Sequence, residues 1–262
     1  MEIKKASARA YESAEFNQAL DEILHPGGLE LTARMAEVAQ IKPGFQVLDI
    51  ASGRGTTACF LSKLHDCRVV GIDLSPVSAS IAKEKAQGDE LTQKVSFATA
   101  DAESLPFGDK TFDVVVSECA FSLLPDKDTG AQEMVRVLKP GGRLTITDVF
   151  LQFPLSQDLK AQVFFDSCFS GARTLEGYRQ IFNHAGLTED VVEDHSIELK
   201  KIAYKLVSGY GSLSAFWEQF GNGELCCCGV SGQASDDSRM LWKRLFTEGK
   251  PGYALFCFRK DK

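Results

Sequence analysis

Four apolar runs in this chain each end in an acid, and a glycine turn follows the first. Val47-Leu48-Asp49-Ile50 leads into Ala51-Ser52-Gly53-Arg54-Gly55. Gly71-Ile72 leads into Asp73-Leu74, Ala98-Thr99-Ala100 into Asp101-Ala102, and Val114-Val115-Val116 into Ser117-Glu118. Carboxylates at such tips accept hydrogen bonds from hydroxyl and amino groups and attract cations. Glycines let backbone N–H groups approach a ligand without interference from a Cβ. Asp73 lies 20 residues after Gly53 (73 − 53), the offset at which an acid accepts from both hydroxyls of a ribose. Asp101 can accept from an adenine amino group, with the Ala102 N–H donating to the ring.

The turn Gly53-Arg54-Gly55-Thr56-Thr57-Ala58 fits G-x-G-x-x-A, so a dinucleotide ligand has to be weighed. Asp49 argues against it, because a carboxylate at the strand tip would meet a pyrophosphate with like charge. The same carboxylate suits a nucleoside ligand with a cationic, amino-acid-like end and no phosphate, which describes S-adenosyl-L-methionine. Asp49, Ala51, Ser52, Gly53, Gly55, Asp73, Leu74, Asp101, Ala102 and Ser117 are the expected cofactor contacts. Glu118, on the loop after the fourth run, is the candidate general base.

Eight cysteines stand at 59, 67, 119, 168, 226, 227, 228 and 257. They are scattered apart from one triplet and contain no C-x-x-C pair, so neither a disulfide framework nor a structural zinc site is expected. Cys119 and Cys168 read as small core hydrophobes or as thiols at a site. Three neighbours in the glycine-rich loop around 226–228 cannot all point inward; a soft-ion or redox role and a chance loop sequence both stay open.

These tips need a doubly wound sheet to converge. The 262 residues, 44% hydrophobic, support one good-sized core. The expected fold is α/β: a Rossmann-like, doubly wound, mostly parallel seven-stranded sheet with a helical amino-terminal arm and a carboxy-terminal helical insertion or cap. Residues 1–40 form the arm, split at His25-Pro26-Gly27-Gly28, with Tyr11 and the Gly27-Gly28 turn as candidate parts of a lid over the cofactor. Residues 41–262 form the main domain, with the cofactor-binding core at 45–150 and substrate-side elements at 151–262. Helices are expected at 56–64, from Ser75-Pro76 onward and at 130–138, where Lys139-Pro140-Gly141-Gly142 stops the last. Strand five follows at 143–150. Later helices are expected at 159–169, 174–187, 197–220 and 239–246, with strands at 191–195 and 252–258.

Net charge is −7 with no long basic run, which disfavours nucleic acid as a partner. No apolar run reaches membrane-spanning length, and the first residues lack an apolar signal core. A cytoplasmic monomer or homodimer acting on a small molecule is the expectation.

Together, the loop at 47–55, Gly71-Ile72-Asp73-Leu74-Ser75, Asp101-Ala102-Glu103-Ser104-Leu105-Pro106-Phe107, Phe112-Asp113-Val114-Val115-Val116 and Val137-Leu138-Lys139-Pro140-Gly141-Gly142 resemble the class I S-adenosylmethionine-dependent methyltransferases of the type 11 branch. Ala51 stands where that family usually has glycine. The resemblance implies that backbone around Ala51 and Gly53 holds the methionine end, Asp73 the ribose, and Asp101 and Ala102 the adenine. A narrower likeness is to arsenite methyltransferases. Ser117-Glu118-Cys119-Ala120-Phe121-Ser122-Leu123-Leu124-Pro125-Asp126-Lys127 resembles their active-site loop, and Ser167-Cys168-Phe169-Ser170-Gly171-Ala172 the region of one arsenic-binding cysteine. That likeness implies Cys168, with Cys226, Cys227 and Cys228, as soft metalloid ligands. Their first-helix cysteine falls on Ala58, leaving Cys59 one step and ~100° away. Three functions remain: methyl transfer to a small molecule (arsenite among the acceptors), cofactor binding without turnover, and nucleotide-dependent oxidoreduction.

Overall fold

The computed structural model describes residues 11–12, 25–162, 168–212, 240 and 243–262. Helix α1 (Gly28–Val38) precedes β1 (Gln46–Ile50), α2 (Thr56–His65), β2 (Arg68–Asp73), α3 (Pro76–Gly88), β3 (Val95–Thr99) and β4 (Phe112–Glu118). A 3-10 turn (Phe121–Leu123) leads to α4 (Lys127–Val137) and β5 (Leu138–Leu151). Two short helices, α5 (Gln157–Gln162) and α6 (Cys168–Gly171), precede β6 (Arg173–Thr174), α7 (Leu175–His184), β7 (Leu187–Asp194), α8 (Ser196–Tyr210) and β8 (Pro251–Lys260).

The strands form one sheet in the order β3-β2-β1-β4-β5-β8-β7, with two-residue β6 also pairing with β5. The first five are parallel, and β8 runs antiparallel between β5 and β7. Sequence order reverses between β1 and β4, so a crevice opens above their carboxyl ends. The apolar runs are continuous because both faces are covered. Alternate residues serve opposite cores. Val47, Val69, Val114 and Val116 meet Met35 of α1, Leu61 of α2 and Ala82 of α3. Leu48, Ile50, Ile72 and Val115 meet Met134 of α4 and Tyr178 and Phe182 of α7.

Several elements differ from expectation. The sheet has eight strands rather than seven, because β6 adds a short pairing at the end of β5. Lys139-Pro140-Gly141-Gly142 does not lie between helix and strand. Leu138 already pairs with Phe112, and the register shifts before Val114 meets Arg143, so the strand begins at Leu138 and carries the glycines as an irregularity. The helix expected at 159–169 is two short pieces in the described part, and residues 245–249 form a π-turn in place of a helical end. Among the described residues no helix is long and apolar enough to cross a membrane.

Candidate functional site

The loop between β1 and α2 is folded onto β2. Ser52 N donates to Ile72 O at 2.8 Å, Gly53 N to Asp73 Oδ2 at 2.9 Å, and Gly55 N to Ser52 O at 2.9 Å. Gly55 has φ +80°, and a Cβ there would stand 2.6 Å from Phe97 Cζ, so this turn requires glycine twice over. Ala51, where the resembled family has glycine, adopts left-handed φ 57°. The other oxygen of Asp73 accepts from Ser75 N at 2.8 Å. Burial raises the Asp73 carboxyl above its ordinary range, opposed by these backbone donors.

Below the loop lies a pair of buried acids. Glu118, at the tip of β4, is 4% exposed. It accepts from Thr57 Oγ1 of α2 at 2.5 Å and from Thr32 Oγ1 of α1 at 3.0 Å, and His25 Nε2 lies 3.3 Å away. The contact with His25 lacks the alignment of a hydrogen bond, and among the described residues neither buried His25 ring nitrogen has a hydrogen-bond partner. Asp49 is fully buried; burial first, then the charges of Glu118 and Asp73, raise its carboxyl well above the ordinary range. Among the described residues its Oδ2 has no hydrogen-bond partner, nor do the buried hydroxyls of Ser52 and Ser117. Orphaned acceptors beneath a glycine loop fit a ligand bearing an ammonium group, and they fit a pyrophosphate badly.

A cavity of about 150 Å³ opens above these groups. Ala51 and Gly53 form one side, Asp73 and Leu74 the next, and Asp101 and Ala102 the third. Glu118 and Cys119 form the wall from β4, and Leu123, Leu124 and Pro125 close the side opposite β2. Tyr11 also stands on the wall; its neighbour Glu12 accepts from Ser75 Oγ at 2.6 Å.

The loop after β4 is fixed by a second buried acid. Asp148 accepts from Ser122 N at 2.6 Å, Ser122 Oγ at 2.7 Å and Val149 N at 2.7 Å. Burial lifts its carboxyl to about 6, even against those bonds. Lys127 caps the same loop from below, donating to Ser122 O and Leu124 O, each at 2.8 Å, and burial lowers its ammonium to about 8. Beyond this loop, Cys119 and Cys168 pack against one apolar cluster, and the neighbouring Cys168, then burial, push the Cys119 thiol well above its ordinary range.

Eight of the expected residues are on the cavity wall: Tyr11, Ala51, Gly53, Asp73, Leu74, Asp101, Ala102 and Glu118. Asp49, Ser52, Gly55 and Ser117 lie behind it, as floor or as loop support. Cys168 sits behind Cys119 rather than on the wall, and Cys226, Cys227 and Cys228 fall outside the described residues. Cys59 is 2% exposed in the core, which is where a helix residue turned away from the site belongs. Among the described residues no group of three or more His, Cys, Asp or Glu could hold a metal ion. Sequence reasoning did not single out His25, Thr32 or Thr57. Thr32 and Thr57 reach Glu118 from two separate helices, and no spacing within the chain announces that.

Residues 48–146 match the methyltransferase-domain family. Methyltransferase GfsG of Streptomyces halstedii is 31% identical over 240 residues, 90% of this chain and 82% of that protein. An arsenite methyltransferase of Aquipseudomonas alcaligenes is 32% identical over 192 residues, 67% of this chain and 54% of that protein. The solved structure of Haemonchus contortus phosphoethanolamine N-methyltransferase 2 in complex with S-adenosyl-L-methionine superimposes with TM-score 0.70 at 22% identity, over 92% of this chain and 54% of that one. That last likeness is one of fold, and this chain spans about half the length of the latter two proteins.

Proposed function

This chain belongs to the class I S-adenosylmethionine-dependent methyltransferases, and we propose that its acceptor is a small molecule entering beside Cys119. The observation that carries the reading is the cavity wall itself: the Gly53 loop, Asp73 and Asp101 stand around one space, with the orphaned Asp49 carboxylate beneath it. When bound, S-adenosylmethionine supplies an already activated methyl carbon. The chain's own task is then to orient and to exclude water, which is worth up to roughly 7–11 kcal/mol where alignment is good. In this reading the backbone at Ala51 and Gly53, with Asp49 and Ser52 below, receives the methionine end. Asp73 receives the ribose, and Asp101 and Ala102 the adenine. Tyr11 stands at the wall of the same space.

Glu118 is better suited to holding the wall than to taking a proton. Two threonine hydroxyls occupy its oxygens, and its carboxylate sits 4% exposed. With Glu118 so engaged, an acceptor that needs little deprotonation is favoured.

A second reading, a trivalent metalloid such as arsenite, is favoured by Cys119 on the cavity wall and Cys168 packed against the same apolar cluster. Such an ion is soft and takes thiolate ligands. The similarity to arsenite methyltransferases points the same way.

The test is to incubate the protein with labelled donor and a panel of thiol, amine, hydroxyl and carbon acceptors, plus arsenite with excess thiol, and to follow S-adenosylhomocysteine release. Turnover on an organic acceptor alone supports the first reading; turnover on arsenite that Cys168→Ser abolishes supports the second. Tight donor binding with no release across the panel overturns both.

A further inference from the structure

Gly130 lies inside α4, at a position where alanine would favour the helix. Packing gives it a reason to be glycine. A Cβ there would stand 2.6 Å from Leu124 Cδ1, with Leu124 Cγ at 3.8 Å and Glu103 Cγ at 3.9 Å. Carbon atoms in contact keep about 3.5–4.0 Å, so the Leu124 methyl group already occupies the room that a side chain at 130 would take. Leu124 is also on the wall of the cavity. One leucine therefore fills the gap between α4 and that space.

The backbone of Leu124 is held at both ends. Its N–H donates to Phe121 O at 3.1 Å, and its carbonyl accepts from Lys127 Nζ at 2.8 Å. Two residues on, Asp126 caps α4 by accepting from Thr129 N at 3.0 Å, and its own N–H donates to Glu103 Oε1 at 2.9 Å. That last bond ties the loop after β4 to the loop after β3, which carries Asp101 and Ala102. Ala102 and Leu124 pack against one apolar cluster, the one that contains Leu105 and Met134. Leu124 is thus bounded by α4, by that cluster and by the cavity, which Asp101 and Ala102 also border.

We propose that Gly130 is a positioning residue for the methyl donor: by leaving room for the Leu124 side chain against α4, it keeps open the end of the cavity beside Ala102, where the base is received. The proposal rests on the reading of that cavity as the donor site. A methyl group added at 130 meets the end of a flexible side chain, Leu124 Cδ1, and not backbone. With the Leu124 backbone fixed, and with α4 and the apolar cluster already filled, that side chain turns into the cavity. A flat, rigid ring cannot bend around it, so the donor loses fit at its base while its amino-acid end is untouched.

The experiment uses the full chain and its Gly130→Ala, Leu124→Ala and double variants. Binding of S-adenosylhomocysteine and of adenosine is read by calorimetry, and folding by thermal melting. Gly130→Ala is expected to fold and to raise the Kd for S-adenosylhomocysteine about tenfold or more, with adenosine weakened in parallel. In the double variant the Kd is expected to return to that of Leu124→Ala alone, because the displaced side chain is gone. A Kd in Gly130→Ala equal to the parent's overturns the proposal. So does weakening that persists in the double variant when set against Leu124→Ala. Unchanged adenosine beside weakened S-adenosylhomocysteine puts the effect at the other end of the cavity and overturns it too. A Gly130→Ala chain that does not fold has the same force, since α4 rather than Leu124 then gives way. A parent that binds no S-adenosylhomocysteine overturns the cavity reading itself, and the proposal with it.

Discussion

Thr57 Oγ1 lies 2.5 Å from Glu118 Oε2, tying the first turn of α2 to the tip of β4 beneath the Gly53 loop. The two residues are 61 positions apart, and the bond is nearly closed to water. It joins the helix that follows the Gly53 loop to the β4 wall of the cavity.

Removing that hydroxyl should therefore act on both. Thr57→Val keeps the shape and leaves a buried carboxylate short of one donor, which costs about 1–3 kcal/mol. Urea unfolding should show the unfolding free energy lower by that amount, with the midpoint falling in proportion and the slope unchanged. Glu118→Gln is the complementary test. The cage predicts a changed donor Kd by calorimetry, with the pH dependence of kcat retained. A pH limb that disappears in Glu118→Gln would restore Glu118 as the base.

Asp73 is expected to serve the ligand and the loop at once, since it holds Gly53 N and Ser75 N. Asp73→Ala should weaken S-adenosylmethionine by about 1.5–3 kcal/mol through lost charged hydrogen bonds, read by calorimetry. Affinity equal to the parent's would remove Asp73 from the ribose site.

Asp148 predicts a pH dependence of unusual sign. Its folded carboxyl titrates at about 6, above its ordinary 3.8. The folded state therefore binds the extra proton between those values, and this group's contribution to stability grows as pH falls from about 6 to about 4. The difference is on the order of 3 kcal/mol. Carboxyls held low by partners, such as Glu133 beside Arg136, move the other way. The readout is thus the difference between parent and Asp148→Asn: the variant should gain relative stability above pH 6 and lose that gain toward pH 4. A constant difference in Tm across that range would refute the assignment.

Gly171 should tolerate no side chain. A Cβ 1.8 Å from a backbone oxygen forces α6 away from the 3-10 turn, an overpacking cost of about 1–3 kcal/mol. Gly171→Ala should lower Tm and speed labelling of Cys168 by a small thiol reagent; unchanged labelling would mean that the close approach does not position Cys168.

Much was legible in the chain alone. The acids at 73, 101 and 118 and the glycine at 53 stand around one cavity, because a parallel sheet buried on both faces writes its strands as uninterrupted apolar runs and leaves its polar residues at the tips. The order of strands around the crevice came from the tertiary structure. Tertiary structure alone decided which groups share each carboxylate. Thr32 and Thr57 come from helices whose sequence shows only periodicity, and a hydroxyl within 3 Å of Glu118 is a matter of packing angle. It also decided that Cys119 and Cys168, 49 positions apart (168 − 119), pack against the same apolar cluster. Contact between distant residues depends on how helices dock on a sheet, whereas strand, turn and tip are local properties that the neighbouring residues already specify.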